Sequence, residues 1–411
     1  MENKLSGGPH RTRIYLDHNA TTPVHPDVLA GLTSAAELWG NPSSIHADGR
    51  EPKQILRQAR QFLALALGVS PLELVFTSGA SESNNSIIRG VWDMQGLQRA
   101  SDQKPARDIL ICSTVEHPSV LRTMLSLEKW GAKILQIPVN RNGELELATY
   151  QKWLGEFGHR VALVSIMAAN NETGVQFPVA DLAAQAHAVG ALFHSDCVQL
   201  LGKCVVKPAE WGLDFASFSS HKFYGLKGSG LTYLRQGTPC EVLIRGGGQE
   251  RHRRGGTENT LGIWALGQRA QDLQSALQHS SQIAQLRDEF EAMICARLKG
   301  VTITGQGSPR LPNTSSLIIE GVDGETLLIN LDILGFSVST GAACSSGNPE
   351  PSPVLRAMGL TLAEAQSSLR VSLGLFNTKA EIELFVATLV QVVTRLRGLE
   401  SSNSEMVSYE I

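Results

Sequence analysis

Apolar positions in the first two-thirds of the chain follow two alternating rhythms. Over residues 27–39 and 51–67 they recur at helical spacing. In the second stretch Ile55, Leu56, Ala59, Phe62, Leu63, Ala66 and Leu67 share one face of an amphipathic helix. Short continuous apolar runs then alternate with helical segments. Residues 74–77 precede a helix over 81–94, residues 108–112 one over 118–130, and residues 161–166 one over 179–187. Further strands are expected at 133–137 and 191–194. Strands apolar on both faces and separated by helices predict an α/β fold, a mainly parallel sheet covered on both sides.

After residue 260 the rhythm changes. One long helical stretch is expected over 261–298, with a polar break at 278–282. Mixed strands and helices follow over 314–319, 324–334, 369–373 and 379–396, which reads as a smaller α+β domain. The expected organisation is an amino-terminal segment 1–28 that contributes to the small domain, a large domain over 29–265, the small domain over 266–398, and a flexible serine-rich tail over 399–411. A chain of 411 residues exceeds the ~250–300 at which single cores stop growing, so two domains are expected on size alone.

Composition narrows the function classes. With 42% hydrophobic and 18% charged residues the chain is an ordinary globular one. A net charge of −3 argues against nucleic acid or an anionic membrane as the main partner. No apolar run approaches the ~20 residues of a membrane span, and the first residues lack the apolar core of a secretory signal, so a cytoplasmic location is expected. The six cysteines include no C-x-x-C pair, which disfavours a disulfide scaffold or a structural zinc site.

The candidate chemistry centres on Lys222, in the run Ser217-Phe218-Ser219-Ser220-His221-Lys222-Phe223-Tyr224-Gly225. A lysine between an apolar run and a glycine turn, beside hydroxyls and a ring nitrogen, suits a Schiff base to a phosphate-bearing aldehyde. Pyridoxal 5'-phosphate demands both functions, and a carboxylate for its pyridine nitrogen; Asp196, closing the apolar run from Gly190, is the candidate. The strand-to-helix junction Thr77-Ser78-Gly79-Ala80-Ser81-Glu82-Ser83-Asn84 can present N–H groups to a phosphate, or can be a simple helix cap, Ser81 with Asn84 or Asn85 nearby. His117 follows a parallel strand and can stack on a ring or move a proton; a plain helix-flanking histidine has the same pattern. In Asn170-Asn171-Glu172-Thr173-Gly174 either asparagine can bond a phenolic oxygen or make the turn. The block from Arg245 to Glu258, with Thr257, reads as an anion-binding loop or, as its rival, an RGG-like nucleic-acid segment; it holds no aromatics. Cys344 sits among glycine, serine and proline over 340–353, an exposed loop in which a thiolate can attack sulfur, or a tolerated free thiol. Arg370, charged within an apolar strand, suits a clamp on a substrate carboxylate or a strand edge.

Together these segments, with Ile14-Tyr15-Leu16-Asp17-His18-Asn19-Ala20-Thr21-Thr22-Pro23, Asp196-Cys197-Val198-Gln199 and the GGGQE and GGTEN blocks, resemble the cysteine desulfurases of the class V pyridoxal-phosphate aminotransferase family, NifS/IscS-like branch. The resemblance implies fold type I, the aspartate-aminotransferase architecture. It implies that Lys222 holds the cofactor and moves the substrate Cα proton, that Asp196 pairs with the pyridine nitrogen, and that His117 stacks on the ring. Asn171 and Gln199 would tune the phenolic oxygen. Ala80, Ser81, Ser219 and His221 would hold the phosphate, joined by Thr257 from a second subunit of a homodimer, and Ser220 would line the cofactor site beside them. Arg370 would bind the carboxylate of L-cysteine. Cys344 would carry a persulfide to an acceptor such as an iron–sulfur scaffold protein. Two positions depart from the family's usual pattern: Ser220 stands where glycine is common, and Ser81 where threonine is common. Two other readings remain at this point, a selenocysteine lyase and a catalytically silent member acting as a binding partner.

Overall fold

The computed structural model describes residues 13–100, 107–341 and 351–407. Cys344 and the amino-terminal residues 1–12 lie outside the described residues. The chain opens with β1 (Ile14–Tyr15), α1 (Pro26–Ala36) and α2 (Ala47–Leu67), followed by β2 (Leu74–Thr77) and α3 (Ala80–Ala100). Next come β3 (Ile109–Ser113), α4 (Pro118–Leu125), β4 (Lys133–Ile137), α5 (Leu147–Phe157), β5 (Val161–Ser165) and α6 (Val179–Ala188). Then β6 (Leu192–Asp196), β7 (Phe215–Ser219) and β8 (Gly230–Leu234) complete a seven-stranded sheet in the order β2-β8-β7-β6-β5-β3-β4.

Strands β3, β5 and β7 are buried at every position, which is why they read as unbroken apolar runs rather than alternating ones. All pairings from β4 through β7 are parallel, as expected. Strand β8 is the exception: it runs antiparallel to both β7 and β2. Only ten residues separate Ser219 from Gly230, too few for the crossover helix that a parallel return requires.

The remainder comprises α7 (Thr260–Gln271), α8 (Leu273–Arg297), β9 (Val301–Ile303), β10 (Thr314–Ile319), α9 (Gly324–Ile333) and β11 (Phe336–Ser337). After the undescribed stretch come α10 (Pro353–Ala357), α11 (Leu362–Gln366), β12 (Ser368–Ser372) and α12 (Lys379–Val407). Three of these strands form an antiparallel sheet, β12-β10-β9. Its apolar cluster of Phe290, Leu317, Ile319, Leu369, Phe385 and Val386 also takes in Leu16, because β1 pairs in parallel with β11.

Two boundaries differ from expectation. The long helix breaks at Asp272, not at 278–282, with Arg269 and Asp272 paired at 2.9 Å across the break. The polar run that suggested the later break is an exposed helical face, and its Ser280 hydroxyl donates to the Lys203 carbonyl at 2.7 Å. At the other end α12 continues to Val407 where a flexible tail from 399 is expected. An established helix propagates at small cost per residue, and Arg397 ties this one down through the Glu320 carbonyl at 2.9 and 2.5 Å.

The glycine-rich block near 250 takes a conformation that propensity disfavours. Glu250, Arg251 and His252 all have positive φ, at 46°, 57° and 63°, a cost of roughly 1–2 kcal/mol per residue. The Glu250 carboxylate offsets it by meeting Arg60 at 2.5 and 2.9 Å and the Phe76 N–H at 2.9 Å, while the Arg60 guanidinium lies 4.4 Å from the Phe76 ring centre. Both partners of this ion pair are nearly closed to solvent. Glu250→Ala is therefore expected to lower stability by about 3–5 kcal/mol, because it strands a buried guanidinium. Urea unfolding of the variant checks this, and a loss below about 1 kcal/mol would show the pair to be solvent-screened.

Candidate functional site

Four loops leave the carboxyl ends of parallel strands along one edge of the sheet. From β3 the chain reaches His117, from β5 it reaches Asn170 to Glu172, β6 ends on Asp196, and β7 runs into the short helical turn Ser220–Lys222. After β3 the chain steps outward to β4 and then returns to lay β5 on the other side of β3, so the strand order reverses there. A crevice outside such a reversal is where open α/β sheets bind ligands.

His117 caps α4, its Nδ1 accepting the Ser119 N–H at 3.1 Å and lying 2.8 Å from the Ser119 hydroxyl. The Asn84 amide donates to that hydroxyl at 2.8 Å and to Asp196 Oδ2 at 2.8 Å. With Nδ1 committed as an acceptor, a neutral His117 carries its proton on Nε2. Desolvation lowers the His117 pKa, Asp196 acting to raise it and Lys222 to lower it, so the three groups share one field. Under the site, Glu116 is fully enclosed; burial lifts its pKa to about 8 although the Ser113 hydroxyl donates to it at 2.6 Å.

Lys222 donates to the carbonyls of Asn19 and Ala20 at 2.5 and 2.7 Å. Desolvation first and Arg370 second pull its pKa down to about 8, against Asp17 and Asp196, which raise it. A sizeable neutral fraction of this amine is therefore present near neutral pH, which a carbonyl-capturing nucleophile needs. Asn19 is the hub. Its carbonyl also accepts Gln199 Nε2 at 3.1 Å, and its amide donates to the Asn171 carbonyl at 3.0 Å and to Thr314 Oγ1 at 2.8 Å. Arg370 pairs with Asp17 at 2.6 Å and reaches the Asn171 carbonyl at 3.3 Å, leaving its Nε buried and unpaired. Asn170 is the turn-making asparagine: its Oδ1 accepts the N–H groups of Glu172 and Thr173 at 2.9 and 3.0 Å. The half-buried Asn171 side chain is thereby left outside the turn.

The phosphate candidates divide. Ala80 and Ser81 begin a 21-residue helix, whose first N–H groups have no partner within it. Gly230 brings the Gly79 backbone so close that a Cβ on it would stand 2.5 Å from the Gly79 Cα, and a Cβ on Gly79 would stand 3.7 Å from Ser219 Oγ. The start of α3 and Ser219 are thus neighbours. His221 lies 3.1 Å from Thr21 Oγ1, and burial lowers its pKa to about 4, so it is neutral near pH 7. Ser220 does not join them: its hydroxyl is buried against Gly225 without a partner. Thr257 is exposed on a cavity it shares with Thr77, Ser78, Arg254 and Asn259. Arg254 is fixed there by Glu82 at 2.9 and 3.1 Å.

An aldehyde-bearing pyridinium phosphate fits this donor set. A partly neutral lysine, a carboxylate, a neutral imidazole and a helix start beside a serine converge on one edge, each matched to a different part of such a molecule. Asn19, Asn84, Asp17 and Lys203 belong to the same network and were not singled out individually by sequence reasoning. Asp17 and Asn19 stand in the polar run Asp17-His18-Asn19 directly after an apolar strand, and Asn84 stands just past the strand-to-helix junction, while nothing local marks Lys203.

The family model described as Aminotransferase class-V matches residues 14–385. A cysteine desulfurase of Cereibacter sphaeroides is 42% identical over 398 residues, covering 96% of this chain and 99% of that protein. The cysteine desulfurase IscS of Dictyoglomus turgidum is 38% identical over 397 residues, covering 96% and 98%. Among solved structures, a NifS-like protein superposes with a TM-score of 0.83 at 35% identity, covering 93% of this chain and 99% of its own. A NifS-like protein from Rickettsia africae gives 0.78 at 32% identity, covering 92% and 99%.

The electrostatics make a testable statement about the amine. In cofactor-free protein, reductive methylation of Lys222 followed by mass spectrometry should rise with pH through a midpoint at about 8. Arg370→Ala removes a cation that lowers this pKa and frees Asp17, which raises it, so the midpoint should climb by about one unit. An unmoved midpoint would show that Arg370 does not act on the amine.

Proposed function

The chain belongs to the aminotransferase class-V family, and on that premise we propose that its site performs cysteine desulfuration: L-cysteine and an enzyme thiol give L-alanine and an enzyme persulfide. The observation that carries this reading is the placement of Lys222, its pKa lowered to about 8, on the same strand edge as Asp196 and His117. Curated relatives of nearly full length are named cysteine desulfurases, and nothing in them favours the selenocysteine-lyase or silent-partner readings.

Bound pyridoxal phosphate supplies an aldehyde carbon and an electron-withdrawing ring. The chain's own residues do the rest. Lys222 would hold that carbon, and the same amine would carry the proton taken from the substrate Cα. Asp196, steadied by Asn84 at 2.8 Å, keeps the ring nitrogen protonated, and neutral His117 covers the ring. Asn171 and Gln199 meet the phenolic oxygen, while the start of α3 at Ala80 and Ser81, with Ser219 and His221, holds the phosphate. Arg370 takes the substrate carboxylate, exchanging part of its pairing with Asp17 for it. The Cys344 thiolate attacks the substrate sulfur; the S–S bond forms as the C–S bond breaks, and the carbon fragment gains a proton to become alanine. The terminal sulfur then passes to an acceptor protein, for which an iron–sulfur scaffold is our reading. The working unit is a cytoplasmic homodimer in which the exposed Thr257 of one copy completes the phosphate site of the other.

Lys222→Ala should abolish the visible band of the cofactor-loaded protein. Cys344→Ala should keep that band, and its shift on adding cysteine, yet lose turnover by at least about 10³-fold, since the nucleophile is gone. Alanine release from L-cysteine and from L-selenocysteine, each with a reductant, tests the assignment. Release from both, with the cysteine reaction lost in Cys344→Ala, supports desulfuration; release from selenocysteine alone overturns it.

A further inference from the structure

Lys203 lies seven residues beyond Asp196, between β6 and β7, and the chemistry above gives it no task. It is nonetheless wired into the site. Its Nζ donates to Gln199 Oε1 at 2.7 Å and to Asn19 Oδ1 at 3.2 Å. Its carbonyl is held by the Ser280 hydroxyl of α8 at 2.7 Å, and it lines one small cavity together with Lys222.

An amide side chain presents an oxygen and a nitrogen of nearly the same shape, so only its partners decide which way it faces. A lysine ammonium can only donate. Lys203 therefore forces Gln199 to turn Oε1 toward it, which places Nε2 on the opposite side. One Nε2 hydrogen goes to the Asn19 carbonyl at 3.1 Å, leaving the second as a donor. The same ammonium holds the Asn19 oxygen, helped by Asn313 Nδ2 at 3.0 Å, and so turns the Asn19 amide toward Asn171 and Thr314. The Asn19 carbonyl is also the acceptor for Lys222.

We propose that Lys203 is a positioning residue that fixes the Gln199 amide as a hydrogen-bond donor toward the cofactor's phenolic oxygen. The proposal rests on the assignment of Lys222 and Gln199 as cofactor residues. A cofactor-linked amine sitting beside a phenolate keeps its proton more tightly when no other donor competes for that oxygen. Loss of the oriented N–H, and loss of a cation nearby, both raise the pH at which the linkage gives up its proton. Lys203 is faced by Lys222, Arg370 and Cys204, and its charge is felt at His18. Burial, with Lys222 next, lowers its own pKa to about 7, so its donor-only character and its positive charge are strongest below that pH.

The test is the pH titration of the visible band in cofactor-loaded protein. Lys203→Met should raise the midpoint by about one unit, whereas Lys203→Arg, which keeps the donors, should move it by less than half as much. Where the Met variant does not fold, Lys203→Gln takes its place. Gln199→Ala should shift the midpoint in the same direction, and adding Lys203→Met to it should shift it by clearly less than Lys203→Met does alone, because the orienting part acts through Gln199 and only the lost charge remains. A loaded Met or Gln variant with the wild-type midpoint, an Arg variant shifted as far as Met, or two shifts that add in full would each overturn the proposal. Wild-type protein without any visible band would instead overturn the cofactor assignment beneath it.

Discussion

The site depends on keeping one amine hydrogen-bonded and yet easily deprotonated. Lys222 meets this with two backbone carbonyls, of Asn19 and Ala20, which accept hydrogen bonds without supplying a negative charge. A carboxylate in their place would hold the proton; open water would solvate the ammonium. Carbonyls inside a partly dry cleft do neither strongly, and Arg370 adds a repulsion that carries the amine further down. The carboxylates nearby are spent elsewhere, Asp17 on Arg370 and Asp196 on Asn84 and the Val198 N–H. Burial and Arg370 thus lower the affinity of Lys222 for its proton, against a pull from Asp17 and Asp196 that their other partners keep modest.

The same arrangement accounts for the tolerance of the surrounding polar groups. Burial pushes His221, His117 and Lys203 toward neutrality and lifts Glu116, so the region around the amine carries less formal charge than its residue types suggest. Neutral donors such as Asn84, Gln199 and Asn19 then do the orienting, because an amide pays less than an ion to leave water.

Much of this was legible in the sequence where the signal is local. Asp196 ends an apolar strand and Lys222 and His117 follow one within four residues, and a residue just past the end of a parallel strand reaches the ligand edge whatever its distant neighbours are. Strand β10 coincides with the expected residues 314–319 and is buried throughout, and β4 coincides with 133–137 although it is a partly exposed strand at the sheet's edge. What escaped depends on partners far away along the chain. Lys203 acquires its significance from Asn19, 184 residues earlier, and Asn84 from Asp196, 112 residues later. Ser220 was expected beside the cofactor because its neighbours are, but the turn at Gly225 closes over its hydroxyl. The antiparallel β8 and the break at Asp272 were set by chain length and packing, which periodicity does not encode.

The contact of Asp17 with Arg370 spans 353 residues, and β1 reaches its pairing partner only at β11. During synthesis the segment bearing Asn19 leaves the ribosome early and then waits for β12. At about 5–20 residues per second that interval is roughly 20–70 s. The seven-stranded sheet ends at β8, so it can close well before this, while the cradle around Lys222 lacks its wall. Nascent chains therefore present a formed sheet with an unfinished amine site. The wall that β12 and Arg370 give to the amine site is thus among the last parts of the molecule to be put in place, an order written into its contact order.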